Sequence, residues 1–277
     1  MMDAPIPANE KIYKPYELTQ EEKNKYSSDI CFVCHGADTE DFISEFPNKF
    51  QERQIQNLVK QILLVYKEYV KKTSKFLYTQ DEFTEYVKES FDDLGTGREK
   101  IIDYVANEMF EVFNQRLFRT TVVDWLIEAG YTNLKLWGNG WLKDPKYSKY
   151  AMGPAENGKT LSKIYQASKI NIGNNIMTTS AARAWECMLS GGFYMSNFIP
   201  TDADVTDIRK ILTLGEDVVC FRNREDLLDK VDYYLSHEEE RQIMIERGRK
   251  IALEKMTFRG LMERVLDKLA EGVEENE

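Results

Sequence analysis

The sequence predicts an α/β protein: a parallel sheet with a helical insertion after its first strand. Three observations predict it. Short apolar runs alternate with helix-period segments after Gly130. An isolated apolar run, Ile30 to Val33, precedes them, and three amphipathic helical patterns fill the intervening stretch at roughly 50–130. Strand–helix alternation of this length implies βαβ units, whose strands run parallel.

Taken in order, residues 1–27 carry Pro5, Pro7 and Pro15 among polar residues and read as an arm or linker outside the core. The first strand, Ile30–Val33, lies between Asp29 and Gly36. In the first insertion helix Ile55, Leu58, Val59, Ile62, Val65, Tyr66 and Tyr69 form one apolar stripe. The second opens at Thr79 with Glu82 three residues on, a capping-box spacing, and the third opens at Thr96 with Glu99 in the same way. A further helix is expected from about Thr121 to Ala129, stopped by Gly130. The remaining strands are expected at Asn133–Trp137, Tyr150–Met152, Lys169–Ile172, Gly192–Ser196 and Asp217–Phe221. Helices are expected at 158–167, 179–190, 204–213, 224–235 and 238–270, the last broken near Met256. The expected organisation is therefore an arm at 1–27, one domain at 28–270 with its insertion at about 50–128, and an acidic tail at 271–277.

The chain has 277 residues, 42% hydrophobic and 30% charged, enough to bury a core without a disulfide or metal staple. Its 47 acidic and 37 basic residues leave a net charge of −10, which argues against nucleic-acid or anionic-membrane partners. No apolar run approaches the roughly 20 residues of a membrane span, and Met1–Lys11 has neither the basic start nor the apolar core of a signal peptide. Cys31, Cys34, Cys187 and Cys220 are too few for a disulfide scaffold and read as free cytosolic thiols. Cys31 and Cys34 have the spacing of a metal half-site, but i and i+3 on a strand face opposite sides, so no metal is expected there.

In an open parallel sheet, ligands bind at the carboxyl ends of the strands. The expected exits read Cys34-His35-Gly36, Gly138-Asn139-Gly140-Trp141, Gly153-Pro154 and Gly173-Asn174-Asn175. Glycines there can simply end strands, or they can let backbone approach a phosphate. The most informative stretch is Gly173–Gly192, where Thr178, Thr179 or Ser180 could cap a helix and Arg183 falls in its first turn. A cation opposes the helix dipole at that position, which makes sense beside a bound anion. Glu186 lies on the same face and could accept both hydroxyls of a ribose; a plain surface Arg–Glu pair is the alternative. Trp141 could stack on a base or plug the core. His35, at the first exit, is the candidate catalytic or phosphate-contacting group. No dinucleotide fingerprint, Walker loop or nucleophile elbow occurs.

The tracts LKLWGNGW (134–141), MGP (152–154), LSKIYQASKINI (161–172), RAWECMLSGGF (183–193) and GEDVVCFRNREDLLDKVDYYL (215–235) occur in the order found in one family. With them, the chain resembles the C-terminal, donor-binding domain of group 1 glycosyltransferases, in the branch of the spore-maturation-protein-like enzymes. The resemblance implies a Rossmann-like half of a GT-B fold that binds a nucleotide-diphosphate sugar for metal-independent transfer, with no cofactor. It implies that Glu186 holds the donor ribose, that Arg183 lies nearby and that the Gly153 segment borders the base. With the strand-exit reading, the expected donor-binding set is Gly138, Asn139, Gly140, Trp141, Gly153, Thr179, Arg183 and Glu186. Thr178 stands where many relatives carry an earlier glutamate, and Met256 where a histidine is common. Acceptor binding is expected from a separate Rossmann domain as partner; a non-catalytic nucleotide- or sugar-binding module acting with a partner is the alternative. Base, sugar, acceptor and stereochemical outcome are not readable.

Overall fold

The computed structural model describes residues 6–36, 38–91, 97–173, 175–200 and 207–274. Six parallel strands form one sheet: β1 Ser28–Val33, β2 Leu134–Trp137, β3 Ala151–Gly153, β4 Ser168–Ile172, β5 Tyr194–Asn197 and β6 Val219–Phe221. Their order across the sheet is β3-β2-β1-β4-β5-β6, so β1 is central, with Ile30 opposite Leu134 on one side and Ile170 on the other. These are the six strands predicted, with ends shifted by one or two residues.

Alternate residues of β1 enter different layers. Ile30, Phe32 and Cys34 join a large core on one face, and Cys31 and Val33 join a second core on the other. The two thiols of the Cys-x-x-Cys pair thus lie on opposite faces, as the strand period requires. The first face is covered by the insertion, α3 Arg53–Thr73, α4 Gln80–Phe91, α5 Glu99–Glu108 and α6 Asn114–Glu128, together with the short α2 Thr39–Glu45 before it and α10 Arg224–Ser236. The second is covered by α8 Lys159–Ala167, α9 Ala182–Leu189 and α11 Glu238–Lys255, while α7 Pro145–Ser148 fills the β2–β3 connection. The insertion's apolar stripes supply Ile55, Ile62, Tyr66, Phe83 and Val105 to the sheet's own core, so insertion and sheet fold as one hydrophobic unit. Among the described residues no helix is long and apolar enough to cross a membrane.

Several expectations are corrected. The N-terminal segment is not outside the core. Ala8, Tyr13 and Tyr26 are buried in the second core, and α1 Gln20–Tyr26 carries a Thr19–Glu22 capping box. Glu22 also pairs with Lys163 of α8, and the Tyr16 amide donates to Gln166 (2.8 Å), so side chains compensate for a proline-rich segment that makes little regular structure of its own. The Thr79–Glu82 box is present, with Glu82 accepting from the Thr79 amide at 2.9 Å. Thr96 lies outside the described residues; α5 begins at Glu99 with no side-chain cap. The helix expected from about Thr121 begins at Asn114, because a π-helical turn, Met109–Phe113, carries the chain continuously from α5 into α6. Asn114 looks like a break in the apolar pattern, yet it is fully buried: its amide accepts from Tyr66 Oη (2.8 Å) and donates to Leu77 O (2.9 Å). The helix expected at 204–213 is, in its described part, one 3₁₀ turn at Ile208–Lys210, where Asp207 binds both the amide and guanidinium of Arg209 and so caps a single turn. The break near Met256 separates α11 from α12, Phe258–Glu274, which extends into the expected tail; residues 275–277 lie outside the described set.

Candidate functional site

Connections from β1 lead to β2 and β3 on one side, whereas β4, β5 and β6 build outward on the other. The point where the strand order reverses therefore lies between β1 and β4, and there the crossovers leave a crevice at the carboxyl edge. Arg183 occupies this place. It is the second residue of α9, the helix that follows β4, and its guanidinium donates to the Val33 carbonyl at the end of β1, so one side chain spans the switch point.

A second arginine reaches the same place from the opposite face. Arg119 of α6 lies beside Cys34 and Arg183, half-buried; burial is the largest cause lowering its pKa, and the neighbouring Arg183 and Arg116 lower it further. Arg116 lies over the Phe42 ring (5.4 Å) and donates to Asp38 O at 3.3 Å. Arg183 thus sits on the end of β1, with Arg119 close enough to feel its charge from the opposite layer, in a protein of net charge −10. Sequence reasoning missed Arg116 and Arg119. Their i, i+3 spacing in a polar interruption of an otherwise apolar helix was the available signal, and only the π turn and the burial of Asn114 set that face against β1.

The exits of β1 and β2 are in backbone contact, which explains their glycines. A Cβ on Gly138 (φ +141°) would lie 2.0 Å from Cys34 O, and one on Gly140 (φ +96°) 2.7 Å from Gly36 O. Asn139 holds the two loops together: its carbonyl accepts from Gly36 N (2.8 Å), and its amide donates to His35 Nδ1 (3.1 Å). An amide N–H can only donate, so Nδ1 is the acceptor and the neutral imidazole carries its proton on Nε2. His35 is exposed. Trp141 is 1% exposed, its indole N–H donates to Cys34 O (2.8 Å), and its ring meets Phe32 and Tyr147 edge-on, which is the core-plug arrangement. Gly153 accepts from the Gly138 amide (2.8 Å) at φ +80°, and a Cβ there would meet open space.

On the α9 side, the N-cap is Ala181, and neither Thr179 nor its neighbours cap the helix. Thr179 instead accepts from Ile208 N (2.9 Å) and ties the β4 exit to the 3₁₀ turn. Asn174, in the same exit, lies outside the described residues. Glu186 is half-buried one turn below Arg183; burial raises its carboxyl pKa, and the Tyr13 hydroxyl and Arg183 oppose that shift. Beneath Arg183 a small cavity reaches Gly173, Tyr165, Asn171 and Tyr194; Tyr165 Oη and Asn171 Oδ1 are buried there with no hydrogen-bond partner among the described residues. Larger hollows lie elsewhere, one of about 860 Å³ against α11 and one of about 910 Å³ between α3 and the β5 and β6 exits. Neither includes the arginine cluster, so size alone does not mark the site.

The structure thus brings Gly138, Asn139, Gly140, His35, Arg183 and Gly153 to one edge, sets Glu186 just below it, and buries Trp141 and Thr179 behind it. The class defined by this architecture is a Rossmann-like α/β domain with a cationic crevice at its switch point. The chain belongs to the glycosyl transferase-like family, whose model matches residues 116–267, just over half of its length. A solved glycosyltransferase from Rickettsia africae ESF-5 is similar, with a TM-score of 0.44 at 12% identity over 96% of this chain and 55% of that one. The pneumococcal O-GlcNAc transferase GtfA, solved with UDP and GlcNAc, is similar at a TM-score of 0.36 and 15% identity over 54% of this chain and 31% of that one. The chain therefore spans about 55% of the length of the Rickettsia protein. No curated protein matches the sequence.

Proposed function

We propose that this chain is the donor-binding domain of a GT-B glycosyltransferase and that it takes a nucleotide-diphosphate sugar in the crevice between β1 and β4. The observation that carries this reading is Arg183 bridging the switch point with Arg119 beside it, since a diphosphate is the anion such a pair would hold. In this reading Arg183 and Arg119 neutralise the charge that develops on the leaving diphosphate, which is the work a divalent metal would otherwise do, so transfer is metal-independent. The Nε2–H of His35 donates a hydrogen bond to the same oxygens. Its fixed tautomer suits it to that role better than to proton abstraction. Glu186 accepts the ribose hydroxyls, and the Gly153 segment borders the base.

The acceptor would be bound by a separate Rossmann domain. The motif order at 161–193 favours the spore-maturation-protein-like branch, and four buried free thiols favour the reducing cytoplasm. The test is calorimetric titration with UDP-, GDP-, ADP- and CDP-sugars, with and without EDTA, followed by assays for sugar hydrolysis and transfer. One nucleotide class should bind, equally well in EDTA. Loss of binding in EDTA, or no binding by any of the four, overturns the reading. Hydrolysis of a bound donor excludes a non-catalytic nucleotide-sugar module, whereas its absence fits a donor domain without its acceptor partner.

A further inference from the structure

The tract 161–172 carries two polar residues that the donor set does not use, Tyr165 of α8 and Asn171 of β4. They are 3% and 2% exposed, and both line the small cavity beneath Arg183. Asn171 has already placed both of its amide protons. Its Nδ2 donates to Tyr165 O (3.0 Å), in the last turn of α8, and to Phe193 O (3.2 Å), just before β5. What remains is Oδ1, which can only accept. Burial holds the Tyr165 phenol neutral, so its O–H still has a proton to give. Neither Asn171 Oδ1 nor Tyr165 Oη has a hydrogen-bond partner among the described residues. One atom needs a donor and the other an acceptor.

We propose that this cavity is a binding site for one buried water, which accepts from Tyr165 Oη and donates to Asn171 Oδ1. The wall selects the occupant. A buried water needs roughly 10–15 Å³ and two to four polar partners, and the cavity measures about 10 Å³. In a space of that size every lining group is a first neighbour of whatever fills it. An anion would face the acceptor-only Oδ1. A cation would face the Arg183 guanidinium, which lines the same cavity. A metal would find no thiolate, because burial pushes the Cys31 thiol up to about 12. An apolar guest would leave both polar atoms without a bond. A small neutral group that both donates and accepts satisfies the wall. A substrate hydroxyl shares that chemistry, and ligand-free protein separates the two. Gly173 shapes the site, since a Cβ there would lie 2.8 Å from Tyr194 Oη on the same wall. The water joins α8 to β4 a second time, beside the bond from Asn171 to Tyr165 O, directly under the switch point. The inference is independent of what the crevice above it binds.

The test is a crystal structure of the ligand-free protein at a resolution that shows ordered water, together with urea unfolding of Tyr165→Phe. A density peak within hydrogen-bond distance of both Tyr165 Oη and Asn171 Oδ1 is expected. Tyr165→Phe keeps the ring and removes the oxygen, so it should raise the unfolding equilibrium constant about three- to tenfold, the loss of about one hydrogen bond. In a dry cavity the same substitution would remove a buried orphan hydroxyl and lower that constant. Absence of the peak overturns the proposal whatever the variant does, and this arm holds even if the variant fails to fold. A peak bonded to only one of the two atoms overturns the bridge, as does a Tyr165→Phe variant at least as stable as the wild type. A peak found only in crystals grown with a nucleotide sugar belongs to a ligand hydroxyl and overturns the water site.

Discussion

Arg183→Ala removes one guanidinium from the switch point and leaves the glycine exits in place. Two consequences follow, and they are separable. Within the protein, Val33 O loses a hydrogen bond from a half-exposed donor, worth about 1 kcal/mol after solvent competition. For a domain of this size that lowers Tm by about 2–4 °C. At the crevice, a bound diphosphate loses a charge-assisted contact, which costs about 1.5–3 kcal/mol, or roughly ten- to a hundredfold in Kd. Arg119→Ala should act in the same direction. Because both arginines would serve one anion, the double variant should lose less than the sum of the two single losses. Arg183→Lys should fall between wild type and alanine, since an ammonium keeps the charge but not the fork. The assay is calorimetric titration with the nucleoside diphosphate that binds best and with its parent nucleoside. Diphosphate affinity should drop while nucleoside affinity holds. If Arg183→Ala lowers Tm but leaves diphosphate affinity unchanged, Arg183 is a structural clamp between β1 and α9 and the crevice is not the phosphate site.

Three further outcomes follow from the same geometry. Burial raises the Glu186 carboxyl pKa above its unfolded value, so its contribution to stability is full below the unfolded pKa and is lost as pH rises through the folded one; Glu186→Gln should gain stability relative to wild type as pH rises above the ordinary carboxyl range, read as a growing difference in Tm. Gly138→Ala puts a methyl 2.0 Å from Cys34 O at φ +141° and should cost about 3 kcal/mol in urea unfolding, against about 1 kcal/mol for Gly130→Ala, whose added methyl meets nothing within 4 Å. Asn114→Ala leaves the Leu77 carbonyl and the Tyr66 hydroxyl without their amide partner in a fully buried position and should cost about 2–4 kcal/mol, with a fall in diphosphate affinity because α6 also carries Arg119.

The local pattern of this chain was enough to define its strands, most of its helices and the edge where the proposed donor site lies. An apolar run such as Ile30–Val33 can only be satisfied by burial on both faces, and parallel strands with helical crossovers provide that. Gly138, Gly140, Arg183 and Glu186 were legible because a strand exit and a helix start are local features, decided within a few residues. What sequence could not convey was which distant segments meet. Arg119 joins Arg183 only because a π turn sets the rotation of α6 and a buried amide, Asn114, finds partners in two other segments. Trp141 looks like a stacking surface until its N–H is seen on Cys34 O, and Tyr13 looks like linker until its oxygen is seen accepting from Gly158 N. In each case a polar atom's partner lies tens to more than a hundred residues away in the chain, and hydrophobic periodicity, a nearest-neighbour signal, carries no information about that pairing. Tertiary packing decided it, because a buried polar atom must find its hydrogen bond wherever the fold supplies one.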